Sequence, residues 1–129
     1  MDAIVVLTTV GDEEQALLIA REMVARRLAA CVNVVPGMRS VYRWQGKICR
    51  DTEYLLLIKT LAAELPAVSA AIRELHSYDL PEILSFAADH GDERFLAWIR
   101  DSVDKTRVVA GIDEDEDEHT GFDLDDSSF

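Results

Sequence analysis

The segment LHSYDLPEI, residues 75–83, concentrates chemically versatile side chains between two apolar stretches. It contains an imidazole (His76), a phenol (Tyr78) and the carboxylates Asp79 and Glu82. Imidazole nitrogens and carboxylate oxygens ligate divalent metals, so the segment is a candidate metal site. A histidine that follows a helix also stabilises the last helical turn, and both interpretations of His76 stand at this point.

The spacing of the other metal-capable residues argues against a closed structural zinc site. The only histidines are His76, His90 and His119, and the cysteines are Cys31 and Cys49. None of them forms a Cys-x-x-Cys, His-x-x-x-His or mixed Cys/His motif. An open site, or one that bridges subunits, is still compatible with the sequence, with His76 joined by a carboxylate or a cysteine.

The sequence contains no recognisable catalytic motif. There is no G-x-S-x-G segment, and neither thiol lies near a histidine along the chain. The six glycines match neither the P-loop nor the dinucleotide-binding pattern. The segment TTVGDEEQ is acidic, whereas an acylphosphatase-like enzyme needs a glycine-rich anion loop with an arginine at that place. We therefore predict a protein that is not an enzyme.

Lys59 and Cys31 are candidate ligand-binding residues. Lys59 ends the apolar run YLLLIK, where a lysine either extends its ammonium group to solvent or lines a pocket for an anion. Cys31 has apolar neighbours in AACVNVV. A packing role is therefore favoured over a reactive role for its thiol.

Charge is distributed unevenly along the 129 residues. Residues 1–105 contain 16 acids and 12 bases, whereas residues 106–129 contain 9 acids and a single base, Arg107. The terminal segment has too little apolar content to offset the entropy of ordering, so residues 106–129 are predicted to be a disordered acidic tail. The tail either solubilises the protein, as in salt adaptation, or captures a metal ion or a partner. The net charge of −12 argues against nucleic-acid binding, which requires lysine and arginine.

The sequence also indicates a cytoplasmic protein without membrane contact. No stretch reaches the ~20 consecutive apolar residues of a membrane helix. The N-terminal residues MDAIVVLTTV contain an acid and lack the basic flank of a signal peptide.

Hydrophobic periodicity predicts the elements that position these residues. Strands are expected at 3–10, in two long arms within 31–60, and at 82–87, and helices at 13–28, 66–75 and 93–103. Gln45-Gly46 predicts a tight turn between the arms, and Pro36-Gly37 predicts a bulge. The predicted core-facing helix residues are Leu17, Ala20, Val24 and Leu28, then Val68, Ile72 and Leu75, then Phe95, Trp98, Ile99 and Val103.

The order β-α-β-β-α-β-α predicts an α+β fold, the ferredoxin-like sandwich with an extra C-terminal helix. We expect one domain over residues 1–105. The hairpin arms exceed the usual strand length of about five or six residues, so the tip of the hairpin is expected to pack on another surface.

Several segments together resemble the CutA family of divalent-ion tolerance proteins. They are LAACVNVVPGMRSVYRWQGKI, LLIKT, HSYDLPEI and FLAWI, and they cover about residues 3–104. The resemblance implies a homotrimer with a fold similar to the PII signalling proteins. Tyr42 and Trp44 on the long hairpin would then contact a neighbouring subunit, and His76, Tyr78 and Glu82 would face a cleft between subunits.

The resemblance also implies a link to copper or another divalent cation. Copper ligands attributed to some family members are a cysteine in the first strand and two adjacent histidines. Those positions are Thr8, Leu75 and His76 in this chain, so two of the three ligands are absent. His76, with Glu82 or Asp79 as oxygen donors, is the predicted metal set.

Two hypotheses follow from these observations. The first is a cytoplasmic, homotrimeric, non-catalytic protein for divalent-cation tolerance. The second is a PII-like signalling or adaptor trimer whose cleft, with Lys59, Tyr78 and Glu82, binds a small anion or a partner's peptide.

Overall fold

The computed structural model describes residues 2–106, and the predicted acidic tail from residue 107 onward lies outside the described residues. The element order agrees with the prediction. The elements are β1 (Ala3–Val10), α1 (Glu13–Ala25), β2 (Cys31–Trp44), β3 (Lys47–Leu61), a short 3-10 turn (Ala62–Glu64), α2 (Leu65–Leu75), β4 (Leu84–Ala87) and α3 (Glu93–Val103).

The four strands form one antiparallel sheet in the order β2-β3-β1-β4. β1 and β3 are the central strands, and β2 and β4 are the edges. This topology confirms the predicted α+β, ferredoxin-like architecture with an additional C-terminal helix.

The main core lies between one face of the sheet and helices α1 and α2. Val6 pairs with Ile58 and Thr8 pairs with Leu56, and cross-strand partners share a face. All four side chains are fully buried. The helices contribute Ala16, Ile19, Met23, Val68, Ala71 and Ile72 to the same cluster.

The described residues cover the opposite face of the sheet at one end only. There α3 packs Ile99 against Ala3 and Ala30. Farther along, Leu84 of β4 pairs with Leu7 and is 52% exposed, and Phe86 pairs with Val5 and is 54% exposed. We call the surface formed by Val5, Leu7, Leu84 and Phe86 the open face.

Helix α1 ends three residues earlier than predicted. Arg27 adopts a left-handed conformation (φ 57°), and its N–H donates to the carbonyl of Val24 while the N–H of Leu28 donates to that of Met23. These two bonds define a Schellman motif, which terminates a helix.

The predicted buried stripe of α1 was correct for Leu28, which packs against the core just after the helix, but wrong for Leu17 and Val24. Leu17 and Val24 are exposed, and Ala16, Ile19 and Met23 face the sheet instead. The predicted and observed stripes are offset by one residue, which corresponds to about 100° around a helix. The leucines in the sequence favoured the stripe that is exposed.

The other element predictions hold with local corrections. The inward stripe of α2 is confirmed, with Val68 and Ile72 fully buried. In α3 the sequence correctly identified Ile99 and Val103, whereas Phe95 and Trp98 are exposed in the single chain. Strand β4 begins at Leu84 instead of Glu82, so the connection from α2 is two residues longer than predicted.

Strands β2 and β3 form a long ribbon with the predicted turn and bulge. Gln45 and Gly46 both have positive φ, as a type I′ turn requires. The strand register shifts between Val35 and Met38, and Gly37 has a φ of 73° within this bulge.

Two buried threonines of the core provide a matched test of hydrogen bonding. Thr8 Oγ1 has no hydrogen-bond partner among the described residues, whereas Thr60 Oγ1 donates to the carbonyl of Leu28 at 2.6 Å. We expect Thr8→Val to raise the free energy of unfolding by about 1 kcal/mol and Thr60→Val to lower it by about 1 kcal/mol. Urea denaturation at one fixed protein concentration measures both changes. Equal shifts in the two variants would contradict the assignment.

Candidate functional site

The connecting loop, residues 76–83, begins at a histidine whose two ring nitrogens are both occupied. His76 Nδ1 accepts a hydrogen bond from the backbone N–H of Tyr78 at 3.0 Å. Nε2 therefore carries the proton and donates to the carbonyl of Thr9 at 2.6 Å. The imidazole thus fixes the start of the loop to the end of β1.

Gln15 of α1 fixes the same part of the loop from the other side. Its Nε2 donates to the carbonyl of Leu75 at 2.9 Å, and its Oε1 accepts from the N–H of Ser77 at 3.0 Å. Asp12 caps α1 by accepting the backbone N–H of Gln15, which leaves the Gln15 side chain available to the loop.

Tyr78 connects the loop to the ribbon through a buried carboxylate. Its hydroxyl donates to Glu53 Oε2 at 2.7 Å, and Glu53 is only 7% exposed. The ring crosses the end of β1 at Gly11, where a Cβ atom would lie 3.3 Å from the phenol oxygen. Burial, followed by the hydrogen bond to Glu53, raises the pKa of Tyr78, so the phenol stays protonated and donates.

A second phenol–carboxylate pair lies farther along the ribbon, on the same face as Glu53. The Tyr42 hydroxyl donates to Asp51, and this hydrogen bond is the main reason why the pKa of Tyr42 is raised to about 12. In contrast to Tyr78, Tyr42 is 41% exposed. Trp44, the other predicted interface residue, is similarly exposed at the ribbon tip.

The predicted ligand-binding residues form two separate groups within one chain. Lys59 pairs across the sheet with Cys31 and has its ammonium group 5.7 Å from the centre of the Phe95 ring. Lys59 lies six residues beyond Glu53 on β3, which corresponds to ~20 Å. Lys59 and Cys31 are therefore remote from Tyr78 in the single chain.

Comparison with known proteins identifies the family. Residues 4–102 match the family described as CutA1 divalent ion tolerance protein. The chain belongs to this family.

Individual relatives agree with the assignment. The divalent-cation tolerance protein CutA of Thermus thermophilus is 46% identical over 98 residues, covering 76% of this chain and 95% of that protein. The chloroplastic CutA of Arabidopsis thaliana is 40% identical over 100 residues, covering 78% of this chain and 55% of that protein. The crystal structure of CutA from Xylella fastidiosa superposes with a TM-score of 0.79 at 40% identity, covering 81% of this chain and all of that one.

The residues at the copper positions that the CutA resemblance implied do not fit a copper ion within one chain. Thr8 is fully buried, Leu75 is apolar, and both ring nitrogens of His76 are occupied. Among residues 2–106 there is no group of three or more His, Cys, Asp or Glu side chains that could hold a metal ion. Asp79 and Glu82 are exposed. A metal role for His76, Asp79 and Glu82 stays a prediction.

Sequence reasoning missed the groups that hold the loop of this CutA1 chain in place. The sequence analysis assigned no role at the loop to Gln15, Glu53, Gly11 or the carbonyl of Thr9. Glu53 had a detectable signal, because its carboxylate directly precedes the apolar run from Tyr54 to Ile58. The carbonyl of Thr9 carried no signal, since every residue has one.

No helix within residues 2–106 has the length and apolar content to cross a membrane.

The two phenol–carboxylate pairs provide a matched test of the loop. We expect Tyr78→Phe to lower the free energy of unfolding by about 1–3 kcal/mol, because it leaves the Glu53 carboxylate buried without a donor. Tyr42→Phe should change it little, since water can replace the phenol at an exposed site. Urea denaturation measures both variants, and equal losses would show that burial of Glu53 does not matter.

Proposed function

We propose that this chain acts in tolerance to divalent cations, copper among them, as a cytoplasmic, non-catalytic homotrimer. The observation that supports association most directly is the open face. Two large apolar side chains of β4, Leu84 and Phe86, are about half exposed beside Val5 and Leu7 on the central strand. Clustered apolar exposure of this kind is typical of a protein–protein contact surface.

The ribbon offers a second contact surface for the proposed trimer. Tyr42 and Trp44 lie on the side of the ribbon that continues the open face, because residues two apart share a face. Aromatic side chains with a polar group are enriched at protein–protein interfaces. A neighbouring subunit that covers the open face would also shield these rings.

Substitution at the open face tests the proposed trimer. Phe86→Asp introduces a charge at the centre of the proposed contact, so we expect it to dissociate the protein into single chains of 14.4 kDa. Leu17→Asp is the matched control, since Leu17 is also 54% exposed but lies on α1, on the opposite side of the sheet, and should leave the trimer intact. Sedimentation velocity measures the mass. A wild-type chain that sediments as a monomer, or a Phe86→Asp variant that remains trimeric, would contradict the proposed interface.

For the cation itself, the proposed contacts are the loop residues His76, Asp79 and Glu82. The two carboxylates are exposed and accessible from solvent. The imidazole becomes a ligand only if one of its hydrogen bonds, to Thr9 or from Tyr78, is broken. A site completed by a neighbouring chain would supply the ligands that a single chain lacks.

Metal titration distinguishes the contributions of these residues. We expect Asp79→Asn/Glu82→Gln to weaken Cu²⁺ and Zn²⁺ binding by about tenfold or more, which corresponds to about 1.4 kcal/mol. Asp89→Asn, which removes an exposed carboxylate elsewhere, should leave the affinity unchanged. Calorimetric titration of the full-length chain, with His76→Ala measured alongside, gives the affinities. If the double variant binds as tightly as the wild type, the loop is not the cation site.

Lys59 supports a second candidate function, a PII-like trimer that binds a small anion or a partner's peptide. Among the described residues its ammonium group contacts an aromatic ring and has no carboxylate partner. If the wild-type chain binds neither cation at micromolar concentration in the titration, this second function is favoured.

A further inference from the structure

The arginines and the carboxylates of the β2–β3 ribbon lie on opposite faces. Arg39 and Arg43 of β2 share one face with Arg50 of β3, since Val41 pairs with Arg50 and Arg43 pairs with Ile48. We call the surface formed by Arg39, Val41, Arg43, Ile48 and Arg50 the arginine face. The acids of the ribbon, Asp51 and Glu53, lie on the opposite face together with Tyr42.

The arginine face carries positive charge without counter-charge from the described part of the chain. Within residues 2–106, no carboxylate forms an ion pair with Arg39, Arg43 or Arg50. By contrast, Arg26 is held by both Glu22 and Glu74, and Lys105 by Glu64. Val41 and Ile48, which lie between the arginines, are 67% and 66% exposed. Three neighbouring cations repel one another, so this surface favours an anionic occupant.

We propose that the acidic C-terminal segment of the same chain, residues 107–129, docks on the arginine face. The segment contains the run DEDEDE at residues 113–118, and residues 106–129 carry a net charge of −8. Carboxylates bind arginine through charge-assisted hydrogen bonds, and a row of them can pair with several guanidinium groups at once. Docking through charge requires no fixed fold in the segment.

The reach of the chain matches this assignment. The last described residues lie beside the connection from α1 to β2, where Lys105 Nζ donates to the carbonyl of Arg27 at 3.0 Å and Arg27 donates to the carbonyl of Asp104 at 3.5 Å. From Cys31 the arginines of β2 lie 8 and 12 residues along the strand, which is ~27–40 Å. The acidic run lies 7–12 residues beyond Thr106, which an extended chain spans in ~23–43 Å.

The proposed docking is compatible with the proposed trimer. The arginine face is the side of the ribbon opposite Tyr42 and Trp44, so a neighbour that contacts those rings leaves the arginines accessible. Ion pairs at such an exposed surface weaken with salt, and this dependence provides a diagnostic.

Carbodiimide cross-linking of the full-length chain tests the docking directly. This reagent joins an amine to a contacting carboxylate, so Arg43→Lys places a reporter amine on the arginine face. Arg73→Lys is the matched control, because Arg73 is also exposed but lies on α2, away from the ribbon. Cross-linked peptides are identified by mass spectrometry, and circular dichroism confirms that both variants are folded. A mixture of isotope-labelled and unlabelled chains distinguishes links within a chain from links between chains.

We expect position 43 to cross-link to residues 113–118 of its own chain, several-fold more than position 73 does. The yield should fall steeply between about 0.05 M and about 1 M NaCl, since the Debye length decreases to about 3 Å. Arg50→Lys, on the neighbouring strand, should give the same pattern. The proposal would be overturned if neither ribbon position formed cross-links to residues 113–118, or if position 73 formed as many. Cross-links that do not depend on salt, or that form only between chains, would also overturn it.

Discussion

The antiparallel pairing of β1 with β3 determines which side chains face the helices and which face the open side of the sheet. The register runs from Ala3–Leu61 to Val10–Tyr54 without interruption, so alternate residues point to opposite faces along the whole pair. One face is buried beneath α1 and α2. The other face is equally apolar at its centre but is covered only by α3 at one end, among the described residues. In a single chain the helices therefore cover one face of the sheet fully and leave apolar side chains exposed on the other face.

The loop after α2 depends on the same pairing, because it is anchored at the end where the pairing of β1 with β3 stops. His76 binds the carbonyl of Thr9 on β1, and Tyr78 binds Glu53 on β3. The hydrogen bond from Tyr78 to the Glu53 carboxylate is charge-assisted, and both bonds satisfy groups that are shielded from water. Of the predicted metal ligands, His76 is thus engaged in holding the loop, whereas Asp79 and Glu82 are exposed. Metal binding by the imidazole therefore requires one of its two hydrogen bonds to break.

The sequence allowed prediction of the elements, their order and the ribbon's turn and bulge, because these features depend on local periodicity and on glycine. The phase of α1 could not be predicted, since Leu17 and Ile19 are equally apolar and only the sheet decides which one is buried. The partners of His76 were unpredictable for a similar reason. One is a backbone carbonyl 67 residues away, and no residue type marks it. Motif spacing identified the family, whereas the side-chain contacts required three-dimensional placement.

Gly11 has an implication for how this family can diverge. A methyl group at position 11 would lie 3.3 Å from the Tyr78 oxygen, so the ring could cross the strand end only after shifting. A larger residue at position 11 and an aromatic residue at position 78 therefore compete for the same space at the end of β1. Across relatives, the two positions should covary: chains with a side chain at the first should carry a shorter residue at the second and lack a buried acid at position 53.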